Sequence, residues 1–284
     1  MWRIFQLIVL ALLAVIAVAL AYGARRWQST TNEMRARLEA ARLPLTVKTY
    51  HIEELEGLPA PVQRYFRTVL TDGQPIIAAV SVEHTGTFNM SESGEQWRPF
   101  TSTQRVITRR PGFDWEARMP MAPGLVVRVH DAYIAGEGIL YASLFGLAPV
   151  VNLRDAQEVA RGELMRFFAE AAWYPTALLP SQGVQWQAVD DRSAQATLHD
   201  GEITLTMLFR FNDNDLIESV RAEARGRTIG NAVIPTPWEG RFSHYERREG
   251  MLIPLEGEVA WLPPEGAHLY WRGRITSIQY EFAE

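Results

Sequence analysis

From Pro75 onward, apolar and polar side chains alternate with a period of two, in segments such as IIAAVSVEHTGTFNM, WRPFTSTQRVITRR, EITLTMLFRF and HLYWRGRITSIQYEF. That alternation places the apolar side chains of each segment on one face of a strand. Ser93-Gly94, Pro111-Gly112, Pro123-Gly124, Asp190-Asp191-Arg192, Asp200-Gly201 and Asn212-Asp213-Asn214 separate the segments as turn signals. Strands spaced this closely pair most economically as an antiparallel meander, and their count comes to roughly ten to twelve.

One stretch breaks the alternation. RDAQEVARGELMRFFAEAAWYPTALLP, Arg154 to Pro180, carries a helical pattern. Asp155 with Glu158 three residues later has the form of a capping box, and Pro175 is expected to stop the helix because the residue before a proline is pushed out of the α region. At about 100° per residue, Leu164, Met165, Phe167, Phe168, Ala169, Ala171 and Ala172 cover most of the circumference. Glu163, Arg166 and Glu170 share one narrow arc, with Trp173 beside Arg166 and Tyr174 beside Glu163. A helix apolar over so wide an arc is buried on several sides, so its charged stripe faces either solvent through a gap or a cavity. Glu163–Arg166 and Arg166–Glu170 have the spacing of intrahelical ion pairs. Gly162 predicts a kink or a close backbone approach, at a cost of about 1 kcal/mol relative to Ala.

Before the strands, Ile4 to Tyr22 holds Gln6 as its one strongly polar side chain. As a helix it spans about 28 Å, close to a bilayer core. Trp2 and Trp27 suit an interfacial aromatic belt. Ala19-Leu20-Ala21 is an acceptable signal-peptidase site, but no polar stretch precedes it, which favours an uncleaved anchor. Arg25, Arg26, Arg35 and Arg37 outnumber Arg3 and the N-terminal amine, and a count of this kind points to a cytoplasmic domain. Long domains translocate against it, and the domain is expected to be extracytoplasmic, on a single-pass anchor in the cell membrane. Residues 32–43 read as a short charged stalk helix. LPAPVQRYFRTVL reads as a second short helix with Pro61 in its first turn. The expected division is an anchor over 1–27, a stalk or linker over 28–57 and a curved-sheet domain over 58–284.

Composition narrows the function classes. The net charge of −5 argues against a nucleic-acid partner. The chain has no cysteine, which excludes disulfides, thiolate catalysis and Cys-ligated zinc. Nine tryptophans, eight of them beyond Gly23, are available to line pockets. No G-x-S-x-G, H-E-x-x-H, G-x-G-x-x-G or phosphate-binding loop occurs. The six histidines are scattered, so no metal site and no cofactor is expected. His130 and Asp131 resemble a base and its orienter, yet neighbours on a strand point to opposite faces. Glu163 and Glu170 stand about 10.5 Å apart in rise, too far for a retaining glycosidase pair. Pro235-Thr236-Pro237-Trp238-Glu239-Gly240 reads as a rigid loop presenting Trp238, and Trp261-Leu262-Pro263-Pro264 as the end of a strand.

GELMRFFAEAAWYPTALLP, LPAPVQRYF, PTPWEGRF and IPLEGEVAWLPPEG together resemble a domain family of unknown function in bacteria and archaea, the DUF6544-type family, over roughly Leu58 to Phe282. The strand–helix–strand order is also similar to the lipoprotein-carrier (LolA/LolB-like) half-barrels, in which a curved antiparallel sheet wraps helices and holds an acyl chain. These resemblances imply no catalytic residue. They imply an apolar or amphipathic, lipid-like ligand.

The fold expected is α+β: one strongly curved antiparallel sheet, an incomplete β-barrel, wrapping a central helix, with one N-terminal transmembrane helix. The expected function is non-catalytic ligand binding in the cell envelope, through Glu163, Arg166, Glu170, Trp173, Tyr174, Trp238 and Trp261. The rivals are a structural or protein-interaction domain with a solid core, and a hydrolase with a site assembled from distant residues. A cavity of several hundred Å³ under the helix separates binding from a solid core.

Overall fold

The computed structural model describes residues 1–91, 94–154, 157–230 and 232–284. Asp155 of the expected capping box and Ser93 of the first turn signal lie outside the described residues. One sheet of thirteen strands, every neighbouring pair antiparallel, organises the chain. Its first half is a meander of β1 (Ile77–Asn89), β2 (Trp97–Ile107), β3 (Gly112–Ala122), β4 (Leu125–Ile134), β5 (Glu137–Leu144) and β6 (Ala148–Arg154). The chain then passes through a helix, α3 (Gln157–Glu170). The second meander is β7 (Gln185–Asp190), β8 (Ser193–Asp200), β9 (Ile203–Phe211), β10 (Ile217–Ile229), β11 (Ala232–Arg248), β12 (Met251–Trp261) and β13 (His268–Phe282). Pairing of β1 with β13 fuses the two meanders, and β6 and β7 remain free edges, so the barrel is not closed. The earlier helices are α1 (Trp2–Ala40) and α2 (Ala60–Val69).

The sheet curls around α3. On β3, Phe113, Trp115, Ala117 and Met119 face the concave core that holds Leu164, Phe167 and Phe168 of α3. Gly138 on β5 lets the helix backbone approach: a Cβ there would lie 2.3 Å from the backbone nitrogen of Ala160. A row of glycines serves the same purpose further round. Gly273 pairs with both Gly86 and Gly257, and a Cβ on Gly273 would lie 2.3 Å from the Trp271 ring, which lies over it. Bare backbone at these positions lets a large indole lie flat on the sheet and lets the sheet bend.

The α-helix ends earlier than the sequence suggests. It stops at Glu170, and the chain continues in tight 3₁₀ turns over Ala171–Trp173, Pro175–Leu178 and Pro180–Gln182. Tertiary bonds hold these turns: Thr176 Oγ1 accepts from the Ile77 backbone N–H at 3.0 Å, and the Trp173 carbonyl accepts from the Tyr280 hydroxyl at 2.7 Å. The strand β6 carries no clear sequence signal, because APVVNLR is short and only weakly alternating. PTPWEG is not a loop but part of β11. Pro235 and Pro237 are tolerated there because this segment projects beyond the end of β12, which first pairs at Trp238–Trp261.

Residues 2–22 of α1 are exposed and apolar, long enough to cross a bilayer. From Gly23 the same unbroken helix lies on the convex face, burying Gly23, Trp27, Thr31, Met34 and Leu38 at helical spacing. Residues 32–40, read from the sequence as stalk, are therefore packed against the sheet. Trp27, expected in an interfacial belt, stacks on His130 at 4.5 Å and donates to Glu116 at 2.7 Å. His130 and Asp131 do face opposite sides of β4. The partner of His130 is Asp114 on the next strand, 2.9 Å away, and its other ring nitrogen meets Thr31 Oγ1 at 3.0 Å. Arg35 completes this buried chain by donating to Asp114 at 3.1 Å. Burying such groups is costly unless each is bonded, so they fix one docked position of α1.

Candidate functional site

Arg166 is the centre of the polar network between α3 and the sheet. Its guanidinium donates to Asp131 on β4 and, at 2.7 Å, to Glu170 one turn along its own helix. Gln104 on β2 donates to the second Glu170 oxygen at 2.6 Å. The guanidinium also lies 4.9 Å from the ring centroids of both Phe113 and Trp115, a desolvated cation–π arrangement. Burial alone would lower the Arg166 pKa, but Glu170, Asp131 and Glu163 together hold it above its ordinary value. The stripe expected to face solvent or a cavity faces the sheet, with Arg166 and Glu170 also lining a small cleft, and its cation is neutralised.

Glu163 does not form the expected pair with Arg166. Its oxygen lies 3.5 Å from Arg225 on β10. A bulge makes this possible: between Ala222 and Arg225 the β10 strand carries one extra residue relative to β11. That insertion re-aims Arg225 to the concave side, across Gly162, whose Cβ position lies 3.5 Å from the Arg225 Nε. The close approach predicted at Gly162 is made by a side chain, and the helix has no break. One oxygen of Glu163 and one of Asp131 have no hydrogen-bond partner among the described residues. Burial first, then repulsion from Asp131, pushes the Glu163 pKa well above the carboxylate range, against the pull of Arg225. A proton on Glu163 supplies a donor to Asp131, which raises it further.

With a folded-state pKa above the unfolded value of about 4.3, Glu163 contributes stability that is full below that value and lost as pH rises through the folded pKa. Glu163→Gln keeps the neutral shape throughout. The variant is expected to gain on the wild type as pH rises above about 4.3, by up to about 1.4 kcal/mol per unit until the folded-state carboxyl ionises. A stability difference that stays constant over that range in thermal unfolding would show Glu163 to be charged in the fold.

Beyond this network the trough holds a cleft of about 80 Å³. Seven aromatic residues line it: Phe88, Trp115, Trp173, Trp238, Phe242, Tyr270 and Trp271, with Asp131, Arg166 and Glu170 at its polar end. Trp173 tilts against His84 at 4.9 Å and meets Phe242 edge-on. Burial, then the charge of Arg166, lowers the His84 pKa to about 3, so this imidazole stays neutral. Trp238 donates to the Tyr270 hydroxyl at 2.8 Å, and Trp261 stacks behind Tyr270 at 5.8 Å.

Of the residues singled out in the sequence, Arg166, Glu170, Trp173 and Trp238 meet at this cleft. Glu163 sits behind it against Arg225, and Trp261 supports its wall from outside. Tyr174 is a core residue whose hydroxyl donates to the Phe167 carbonyl at 2.6 Å. Sequence reasoning missed Asp131, Gln104, Arg225, Tyr270 and Trp271. Their strand parity was legible for Asp131, but nothing local announced which strands α3 would cross. An open groove of about 460 Å³ on the convex face is lined by opposed charges, among them Glu256, Glu258, Arg272 and Arg274. His51, Glu53 and Asp72 form one cluster of metal-ligating type among the described residues, all exposed.

Residues 56–280 match the family of unknown function DUF6920. The chain belongs to this family. The match replaces the DUF6544-type family that the motifs resemble, and it spans the same region. No curated protein matches DUF6920's member here. Among solved structures, a LolA superfamily protein from Nitrosomonas europaea is 10% identical, with coverage of 77% of this chain and 93% of its own and a TM-score of 0.34. A porin-like protein from Bacteroides uniformis is 5% identical, with coverage of 72% and 97% and a TM-score of 0.26. Likeness at these TM-scores says nothing about a ligand of this DUF6920 protein.

Proposed function

We propose that this DUF6920 protein is a membrane-anchored, non-catalytic binding domain of the cell envelope for an apolar or amphipathic, lipid-like ligand. The observation that carries the reading is the aromatic cleft, closed at one end by Arg166 and its carboxylates. Aromatic walls with a few placed polar groups are the usual make-up of such sites. The polar end is internally neutralised, so it suits a hydrogen-bonding head better than a strongly charged one. At about 80 Å³ the cleft receives the end of a ligand and does not engulf a long chain. The small volume also favours a second reading, a solid-core scaffold. In the proposed division, residues 2–22 anchor an extracytoplasmic domain that holds residues 58–284, with residues 23–40 of the same helix docked on it.

Gly240 provides a test. It lines the cleft, and its Cβ position meets only the edge of Trp238, at 3.7 Å. Gly240→Leu therefore fills the cleft without displacing backbone. Native mass spectrometry of the full chain, purified from its own host membranes in detergent, is expected to show a bound lipid-mass adduct that Gly240→Leu loses. Identical spectra for the two proteins would support the solid core and end the binding reading.

A further inference from the structure

The anchor and the domain are joined without a linker. The exposed apolar run of α1 ends at Tyr22, and Gly23 is its first buried residue. At Gly23 the helix crosses the β5–β6 turn: a Cβ there would lie 2.5 Å from the Phe145 carbonyl oxygen and 2.8 Å from the Leu147 side chain. A Cβ on Gly146 would likewise lie 2.5 Å from the Gly23 carbonyl. At about 1.5 Å of rise per residue, the bilayer-length segment and the sheet edge are one residue apart. A continuous helix cannot swing the domain away, so this edge lies at the level of the membrane interface.

In a meander, alternate turns lie at the same end of the sheet. The turns β1–β2, β3–β4, β5–β6 and β12–β13 share the end at which α1 leaves. The β10–β11 hairpin bends away from it: Gly226 lies beside Glu158 at the start of α3, near Gly138 at the other end of β5. The β8–β9 turn is carried by the sheet's twist to Arg110 and Tyr133 instead. The anchor-side turns present Met90, Leu125 and Val150 as exposed side chains, Val150 at 62%. Turns at the opposite end carry Arg109-Arg110, Asn212-Asp213-Asn214-Asp215 and Arg247-Arg248-Glu249. Exposed apolar side chains on three turns set beside a bilayer-length helix suit a position in the membrane interface.

We infer that this rim is a second membrane contact, with the hairpin tips set into the interfacial layer of the bilayer that α1 spans. The occupant is the lipid surface itself. The inference rests on the anchor reading of α1 and deepens the proposed function. Phe88 and Tyr270 of the cleft stand on strand ends that lead to this rim, so the bilayer is the immediate source of the ligand.

The chain has no cysteine, so single labels are unique. In the full chain reconstituted into phosphatidylcholine nanodiscs, an environment-sensitive fluorophore is placed at Leu125→Cys or Val150→Cys. Val9→Cys within α1 and Asp213→Cys at the far end are the references. The rim labels are expected to show blue-shifted emission and quenching by doxyl-labelled lipid, as at Val9, while Asp213 shows neither. Rim labels that behave like Asp213 while Val9 is quenched would overturn the rim contact and leave the anchor intact. An unquenched Val9 would overturn both. The readout does not involve the cleft, so Gly240→Leu leaves it unchanged, and failure of the ligand reading appears only in the mass spectra.

Discussion

Arg166→Met is expected to destabilise the protein by about 3–5 kcal/mol. The side chain is 14% exposed and its partners Asp131 and Glu170 are 16% and 12% exposed, so solvent screens little of the loss. Met fills much of the same space against Phe113 and Trp115 and keeps a favourable sulfur–aromatic contact. What it cannot supply is the counter-charge. Asp131 and Glu170 would remain in the interior as uncompensated anions, Asp131 next to Glu163. Converting the whole network to neutral groups, Asp131→Asn/Arg166→Met/Glu170→Gln, removes that penalty, since a complete buried ion network can be replaced at little cost. Denaturant unfolding of the full chain in detergent measures both proteins. If the triple variant proves no more stable than the single one, charge compensation is not what Arg166 provides.

The second large effect is at Trp173. It is 2% exposed, wedged between His84 and Phe242 where the helix gives way to 3₁₀ turns. Its indole N–H has no partner among the described residues, so truncation loses packing and no hydrogen bond. Trp173→Ala is expected to cost about 3–5 kcal/mol, the range for a buried aromatic whose cavity does not collapse. Collapse is opposed here, because the Trp173 carbonyl stays tied to Tyr280 and the Ile77 N–H to Thr176. The same truncation enlarges the cleft and bares the neutral His84. An unchanged unfolding midpoint would show that the indole does not clamp α3 to the sheet.

Both effects arise from side chains that were visible in the sequence, acting through partners that were not. The helical stripe Glu163–Arg166–Glu170, the apolar run of Ile4 to Tyr22 and the alternation that makes strands are all local periodicities. Local periodicity sets which face of an element is apolar, and with it the element type. Closely spaced strands on either side of one helix also imply a single curved antiparallel sheet around it.

What that stripe would meet depends on contacts far apart in the chain. Asp131 and Gln104 reach Arg166 because α3 crosses β2 to β4 in the finished trough. Arg225 turns inward only because of the β10 bulge, one unpaired residue that reverses strand parity and has no sequence marker. The helix stops at Glu170 rather than at Pro175 because tertiary hydrogen bonds from β1 and β13 stabilise tighter turns. The second half of α1 looks like a solvated stalk by composition, since Arg35 and Arg37 are charged. The fold supplies Asp114 and Glu137 as their partners, so a polar helix face becomes an interface. Intrinsic pattern determined the elements and their apolar faces. The pairing of buried charges, and the seating of the N-terminal helix against the sheet, were decided by tertiary structure, because an ion in the interior is stable only where distant residues complete its hydrogen bonds.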